Sequence, residues 1–142
     1  MSDSKPKEIS EWIRKTYRQT PERVLIRTRH IEKDRIWRDI SENDVRKTLE
    51  TGNVHSVRSS DKTIFWRGTD NTGREIELQC GIVSASGTDT LVIQEADRVR
   101  VGTAYDSSQD DKVLKKQWLD EHPEYEELPN GKVQRRITVT RI

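Results

Sequence analysis

Residues 74–84 read REIELQCGIVS, and their reading decides the fold. Ile76, Leu78 and Cys80 alternate with Glu75, Glu77 and Gln79. That period of two belongs to a strand with one buried face and one wet one. The flanks read as turns: residues 68–73 (GTDNTG) before it and 84–89 (SASGTD) after it are runs of Gly, Ser, Thr, Asp and Asn. Working outward, residues 54–59, 62–67, 90–95 and 98–105 are further strand candidates. The centre of the chain therefore predicts an antiparallel meander.

Helices flank the meander. Residues 7–18 place Ile9, Trp12, Ile13 and Tyr17 on one face of a helix, and Pro21 ends it. The run Val24, Leu25, Ile26 reads either as a short strand or as the start of the next helix. Residues 29–39 read as a helix whose apolar positions, Ile31, Ile36 and Trp37, are irregularly spaced before Ile40. Ser41 and Asp44 form a capping-box signal for a helix over 42–51, with Gly52 expected as a left-handed stop. Beyond Tyr105, residues 110–120 set Leu114 and Trp118 four apart, as a helix does. Pro129, Asn130 and Gly131 then predict a type I′ hairpin turn, followed by Val133, Ile137 and Val139 alternating with Gln134, Arg136 and Thr138. The fold class expected is α+β: N-terminal helices packed on a mainly antiparallel sheet, with a C-terminal helix-plus-hairpin extension. The organisation expected is an N-terminal helical extension (1–23), an α+β core (24–106) and a charged appendage (107–142).

Composition sets the outer limits. The 142 residues are 36% charged and 30% hydrophobic, with a net charge of +1. Leu, Ile, Val and Phe make up roughly a fifth of the chain, near the border of disorder, but disorder also calls for high net charge. No apolar run is long enough for a membrane helix, and the first residues carry no apolar signal region. A single cysteine, Cys80, excludes an internal disulfide and fits a reducing, cytoplasmic setting. The charge is segregated. Residues 1–47 hold thirteen cations against nine carboxylates, whereas residues 106–128 hold eight carboxylates against three lysines. A basic face of that kind can bind phosphate even on a neutral protein.

Motif by motif, most chemistry is absent. There is no phosphate-binding Gly-rich loop and no dinucleotide fingerprint. His30, His55 and His122 are scattered and no pair has zinc spacing, so neither a metal nor a cofactor is expected. Cys80 sits within an apparent strand, where an inert thiol is the rule. Phe65, Trp66 and Tyr105 fit a core better than a base-stacking platform.

One constellation has chemical content: His30, Arg38, Thr103 and Tyr105 as candidate catalytic residues, with Arg35 as a phosphate contact from the same cation-rich segment. A histidine can take a proton from a ribose 2′-hydroxyl or return one to a leaving oxygen. An arginine stabilises the charge growing on phosphate, and a Thr or Tyr hydroxyl can hold a phosphate oxygen. On one regular helix His30 and Arg38 would stand about 12 Å apart along the axis. Sharing a phosphate would then need long side-chain reach or a broken helix.

At these residues the chain resembles a bacterial domain-of-unknown-function family, number 4258. The matching pieces are His30, then Arg38, Asp39, Ile40 and Ser41, then Asp44 and Val45, then 72–76 (TGREI), then 101–105 (VGTAY). The similarity covers about residues 24–106. It implies a helix-then-sheet fold grouped with the barnase, EndoU, colicin and RelE-like RNase toxins. It also implies metal-independent RNA cleavage, often within toxin–antitoxin pairs, and so a cognate antitoxin as partner beside RNA. Carried over by residue, His30 becomes the acid or base, Arg38 and Arg74 the phosphate contacts, and Thr103 and Tyr105 the rest of the site. Two positions depart from the pattern. Asp39 stands where the family has Gly, and Asp34 where an Arg is common.

The leading expectation is a toxin-like, metal-independent endoribonuclease that works through 2′-hydroxyl attack with His30. The alternative is a non-catalytic RNA- or protein-binding module on the same fold. A third reading is an assembly protein whose acidic 106–128 segment docks on a basic partner, or covers the protein's own basic face.

Overall fold

The computed structural model describes residues 2–137. Its centre is a five-stranded sheet in the order β1-β5-β4-β3-β2, made of β1 (Val24–Ile26), β2 (Asn53–Arg58), β3 (Thr63–Thr69), β4 (Glu75–Ser84) and β5 (Ala96–Asp106). Strands β2 to β5 form the antiparallel meander, and β1 adds a parallel edge on β5 through Val24, Leu25 and Ile26 opposite Val99, Arg100 and Val101. With the helices α1 (Pro6–Gln19), α2 (Glu42–Thr51) and α3 (Asp111–Glu121), this is the expected α+β class. A separate hairpin, β6 (Tyr125–Glu127) with β7 (Val133–Arg135), closes the described chain. No helix among the described residues is long and apolar enough to cross a membrane.

The amphipathic patterns explain the layers. Ile9 and Ile13 of α1 and Val45 and Leu49 of α2 pack with Ile64, Trp66, Ile76, Leu78, Ile82, Val99 and Val101 in one core. Each of these side chains, fully buried, stabilises the fold by about 1.5–3 kcal/mol before entropy is counted. The stretch 1–23, read as an extension, thus supplies two residues of the central core. Trp66 is fully buried and donates Nε1–H to the Thr48 carbonyl at 2.9 Å, which satisfies its one polar atom. The capping box is formed as expected: Ser41 Oγ accepts from the Asp44 N–H at 3.2 Å, and Asp44 Oδ2 accepts from the Ser41 N–H at 2.8 Å.

Five expectations are corrected, the last being the helix over 29–39. Residues 90–95 do not form a strand. Leu91 and Val92 are buried, but Ile93–Glu95 is a 3-10 turn. Their backbone is engaged elsewhere: the Leu91 carbonyl accepts from the Ser4 N–H, and the Ile93 N–H donates to Ser4 Oγ. Gly52 is not left-handed but extended (φ −102°, ψ −177°). Glycine is required there by space, since a Cβ would lie 2.3 Å from both the Arg67 carbonyl oxygen and Trp66 Nε1. The hairpin turn after Leu128 is not type I′. Only Gly131 of its residues has positive φ (+83°), because Pro129 fixes its own φ near −65°. The Gly131 N–H bonds the Leu128 carbonyl and the Leu128 N–H bonds the Lys132 carbonyl. That is the pattern of a type I turn followed by a left-handed glycine bulge. Pairing of the second C-terminal strand ends at Arg135, and Ile137 is exposed; Thr138 and Val139 lie outside the described residues.

The predicted helix over 29–39 is two short pieces, a wide π turn (His30–Asp34) and a 3-10 turn (Ile36–Arg38), ended by left-handed Asp39. Its two buried apolar residues are Ile31 and Trp37, with Ile40 buried just beyond its end. On a regular helix, residues six apart lie about 120° from one another. Here the chain rewinds between Ile31 and Trp37, and both are buried. Irregular turns of this type recur at functional sites.

Candidate active-site cleft

The break in the helix places His30 and Arg38 on the rim of one cleft. The cleft holds about 620 Å³. Arg27, His30, Arg35 and Arg38 form one wall, and Asp61, Lys62 and Thr63 from the β2–β3 turn stand on the other side. Its floor is the sheet face away from α1 and α2, with Gln79 and Gly81 of β4 and Arg100, Gly102 and Thr103 of β5.

A bulge builds that floor. Gln79 pairs with Thr103 but Cys80 pairs with Val101, so Gly102 is extra. Strict alternation would send Thr103 and Tyr105 inward with Val99 and Val101. The inserted residue reverses the phase, so Ala104 and Asp106 are buried and Thr103 opens on the cleft.

His30 is the centre of the wall. Its side chain is 14% exposed, and its Nδ1 is buried 3.5 Å from Asp34 Oδ2, without a formed hydrogen bond. Asp34 Oδ2 also lies 3.2 Å from Lys132 Nζ of the C-terminal hairpin. Burial lowers the His30 pKa below its ordinary value, the charges of Arg35 and then Arg27 push the same way, and Asp34 opposes them. The imidazole is therefore neutral at pH 7 and able to accept a proton. For Asp34, burial acts upward but is outweighed by Lys132 and His30, and its carboxyl is held below the usual range. Asp34 thus puts a carboxylate beside the histidine.

The arginines divide into used and free. Arg38 is used: Nε donates to Asp111 Oδ1 (2.7 Å), Nη2 to Asp111 Oδ2 (2.9 Å), and Nη1 to Thr103 Oγ1 and the Ala104 carbonyl (both 3.0 Å). The Tyr105 ring lies 5.9 Å from its guanidinium carbon, and Tyr105 does not line the cleft. Arg74 is away from the cleft. It donates to Asp70 Oδ2 (3.0 Å) and to the carbonyls of Arg38 (3.3 Å) and Asp39 (2.8 Å), and so buttresses the backbone beneath the site. Arg27 and Arg35 form no ion pair among the described residues. Arg35 only reaches the Asp34 carbonyl at 3.2 Å and packs over Trp37 at 5.5 Å. Burial and the neighbouring Arg38 charge hold its pKa below the usual guanidinium value. Arg35 feels the like charges of Arg38 and Arg27 against the carboxylates of Asp34 and Asp111, and His30 feels Arg35 and Arg27; an anion in this cleft would relieve that repulsion.

The structure therefore brings together His30, Arg35, Arg38 and Thr103 of the predicted residues, sets Tyr105 behind Arg38, and leaves Arg74 outside. Arg27, Lys62, Gln79, Gly81 and Arg100 were not singled out from the sequence. Gln79 was readable as the wet phase of the strand over 74–84, and Gly102 as an isolated glycine that marks a bulge. Lys62 carries positive φ (+59°) and donates to the Asp89 carbonyl, and Arg100 pairs with Asp89 at 2.8 Å. Among the described residues no group of three or more His, Cys, Asp or Glu side chains is placed to hold a metal ion. Cys80 is buried, which pushes its thiol up to about 12, so it is no nucleophile at neutral pH.

Comparison of the chain with protein-family models, with curated proteins and with solved structures finds no match. The functional reading rests on the cleft.

Proposed function

We propose that this protein is a metal-independent endoribonuclease of the toxin-like class, with His30 as its base. The single observation that supports it is the half-buried imidazole of His30, its pKa lowered by burial and by the charges of Arg35 and Arg27, in one open cleft with both guanidinium groups. In this reading Arg27 and Arg35 hold the scissile phosphate. His30 takes the proton of the ribose 2′-hydroxyl, and the 2′ oxygen attacks the adjacent phosphorus. The bond to the 5′ oxygen breaks, leaving a 2′,3′-cyclic phosphate and a 5′-hydroxyl that takes its proton from water. Arg38 and Thr103 act as the braced wall and not as phosphate ligands. The experiment is cleavage of mixed RNA in chelator by the native protein and by His30→Ala, with end chemistry determined. Cyclic phosphate ends from the native protein alone support the reading, and equal cleavage by the variant removes His30 from it.

One observation favours a second reading, a non-catalytic RNA-binding module. His30 is the one group lining the cleft whose ordinary pKa lies near neutrality, so acid and base are not both supplied. That reading expects salt-sensitive RNA binding without turnover. A cognate antitoxin or other protein partner belongs with the first reading and is addressed by co-purification from the native host.

A further inference from the structure

We propose that the bare patch of sheet at Gly81 is a nucleobase subsite, read by the side-chain amide of Gln79. The inference rests on the phosphate-binding part of the reading above and deepens it, by naming what the non-phosphate part of the substrate touches. Gly81 falls on the cleft side of β4, since Cys80 and Ile82 on either side of it are buried in the core. It is not there for backbone reasons, because its φ is not in the left-handed region, and it is not there for lack of room. A Cβ built on Gly81 would meet only Arg100 Nη2, at 3.7 Å. This differs from Gly52, where a Cβ collides with backbone. The missing side chain leaves peptide planes of the sheet open to a flat ligand. Gly102, at the bulge on the neighbouring strand, extends the same side-chain-free area, and its nearest obstacle to a Cβ is the Gln79 carbonyl at 3.6 Å.

Gln79 borders that patch in line with Thr103. Its amide makes no hydrogen bond among the described residues, whereas the charged side chains on the far side are already engaged: Asp61 with Arg58, Lys62 with the Asp89 carbonyl, and Arg100 with Asp89. An amide offers a donor and an acceptor side by side, and a base edge that sets a donor beside an acceptor, such as adenine N6–H beside N7, answers it bidentately. A nucleotide with its phosphate at His30, Arg27 and Arg35 and its base on Gly81 would fill both halves of one cleft.

The test uses the full chain carrying His30→Gln, so that no turnover intervenes, and compares adenosine 3′-monophosphate, ribose 5-phosphate and inorganic phosphate by calorimetry. The expected result is that adenosine monophosphate binds about tenfold or more tightly than ribose phosphate. Adding Gly81→Ala, whose Cβ would meet only Arg100 Nη2 at 3.7 Å, or the bulkier Gly81→Val, should cut or abolish that increment and leave phosphate binding intact. Gln79→Ala should weaken adenosine monophosphate binding and leave ribose phosphate binding unchanged. Thermal melts of each variant verify folding. Equal affinity for the nucleotide and the ribose phosphate overturns the subsite, as does an increment that survives Gly81→Val. Binding of no anion at all overturns the phosphate reading instead, and base-dependent binding by a protein that cleaves no RNA overturns only the ribonuclease activity.

Discussion

Asp111, the first residue of α3, closes on Arg38 with both carboxylate oxygens, at 2.7 and 2.9 Å. Asp111 Oδ1 also accepts from Trp37 Nε1 at 3.0 Å, and Lys115, one turn along α3, sits 4.6 Å over the Trp37 ring. The C-terminal appendage is thereby fastened to the wall of the cleft. The Arg38 side chain is 13% exposed and that of Asp111 34%, so the pair lies between a surface bridge of little worth and a buried one. Asp111→Ala should destabilise the protein by about 1–3 kcal/mol. Arg38→Lys should not substitute for arginine, because a point charge cannot occupy both oxygens and still reach Thr103 and the Ala104 carbonyl. Burial acts upward on the Asp111 carboxyl, but the bonds from Arg38 and Trp37 outweigh it and the folded value is lowered. A carboxyl lowered on folding contributes stability above its unfolded value near 4, and loses it as pH falls through the folded value. Urea titrations of the native protein and Asp111→Ala should therefore differ at pH 7, and the difference should shrink as pH falls below about 4.

Gly52 is the tightest joint in the core. A methyl group there would lie 2.3 Å from the Arg67 carbonyl oxygen and from Trp66 Nε1, and 2.8 Å from the Thr48 carbonyl oxygen. It would part the hydrogen bond between Trp66 and Thr48 that locks α2 on β3. Gly52→Ala should cost about 3 kcal/mol, seen as a lowered Tm and a Trp emission shifted by solvent. Gly81→Ala, whose Cβ would meet only Arg100 Nη2 at 3.7 Å on the opposite face, should leave Tm within a few degrees of the native value.

Asp39 ends the 3-10 turn in a conformation that suits glycine. Its φ and ψ are 52° and 50°, the left-handed region, which glycine enters freely and Asp tolerates better than most residues. Its carbonyl receives Arg74 Nη2 at 2.8 Å, which fixes the corner. Asp39→Gly should therefore fold with unchanged or slightly higher stability, whereas Asp39→Val should lose about 1–2 kcal/mol. A matched set of denaturant midpoints decides it.

The contrast between what was legible and what was not follows from range. The strand at 74–84, α1, α2 with its Ser41–Asp44 box and α3 were readable because each is announced by neighbours within one or two turns. The parallel seat of β1 depends on Val99 and Val101, some seventy-five residues away, and local propensity does not carry that. The site divides the same way. His30 and its cationic segment were visible as residue types. The fates of the arginines were not, because Asp111 captures Arg38 across 73 residues and Asp39 and Asp70 hold Arg74. Thr103 faces the cleft only because Gly102 is inserted before it, so an alternation count without the bulge puts it in the core.

His30 offers the sharpest pH test. Burial, Arg35 and Arg27 lower its pKa below 6.5, with Asp34 opposing. Between the folded and unfolded values the unfolded chain binds the extra proton, so this group's contribution to stability rises with pH and is lost as pH falls below about 6.5. Proton NMR of the imidazole should place the folded midpoint below that of a free histidine. Arg35→Gln and Arg27→Gln should each raise it, the first more than the second, because Arg35 is the stronger of the two charges. Asp34→Asn should lower it, by removing the negative charge 3.5 Å from Nδ1. Lys132→Met should raise it, since that lysine shares Asp34 Oδ2 and dilutes its pull on the imidazole. If His30 is the base, RNA cleavage should rise with pH through the same midpoint and level off by pH 7, and the Arg35→Gln profile should shift to higher pH with the NMR value. A cleavage profile that ignores these shifts would assign the proton transfer to another group while leaving the electrostatics of the cleft as measured.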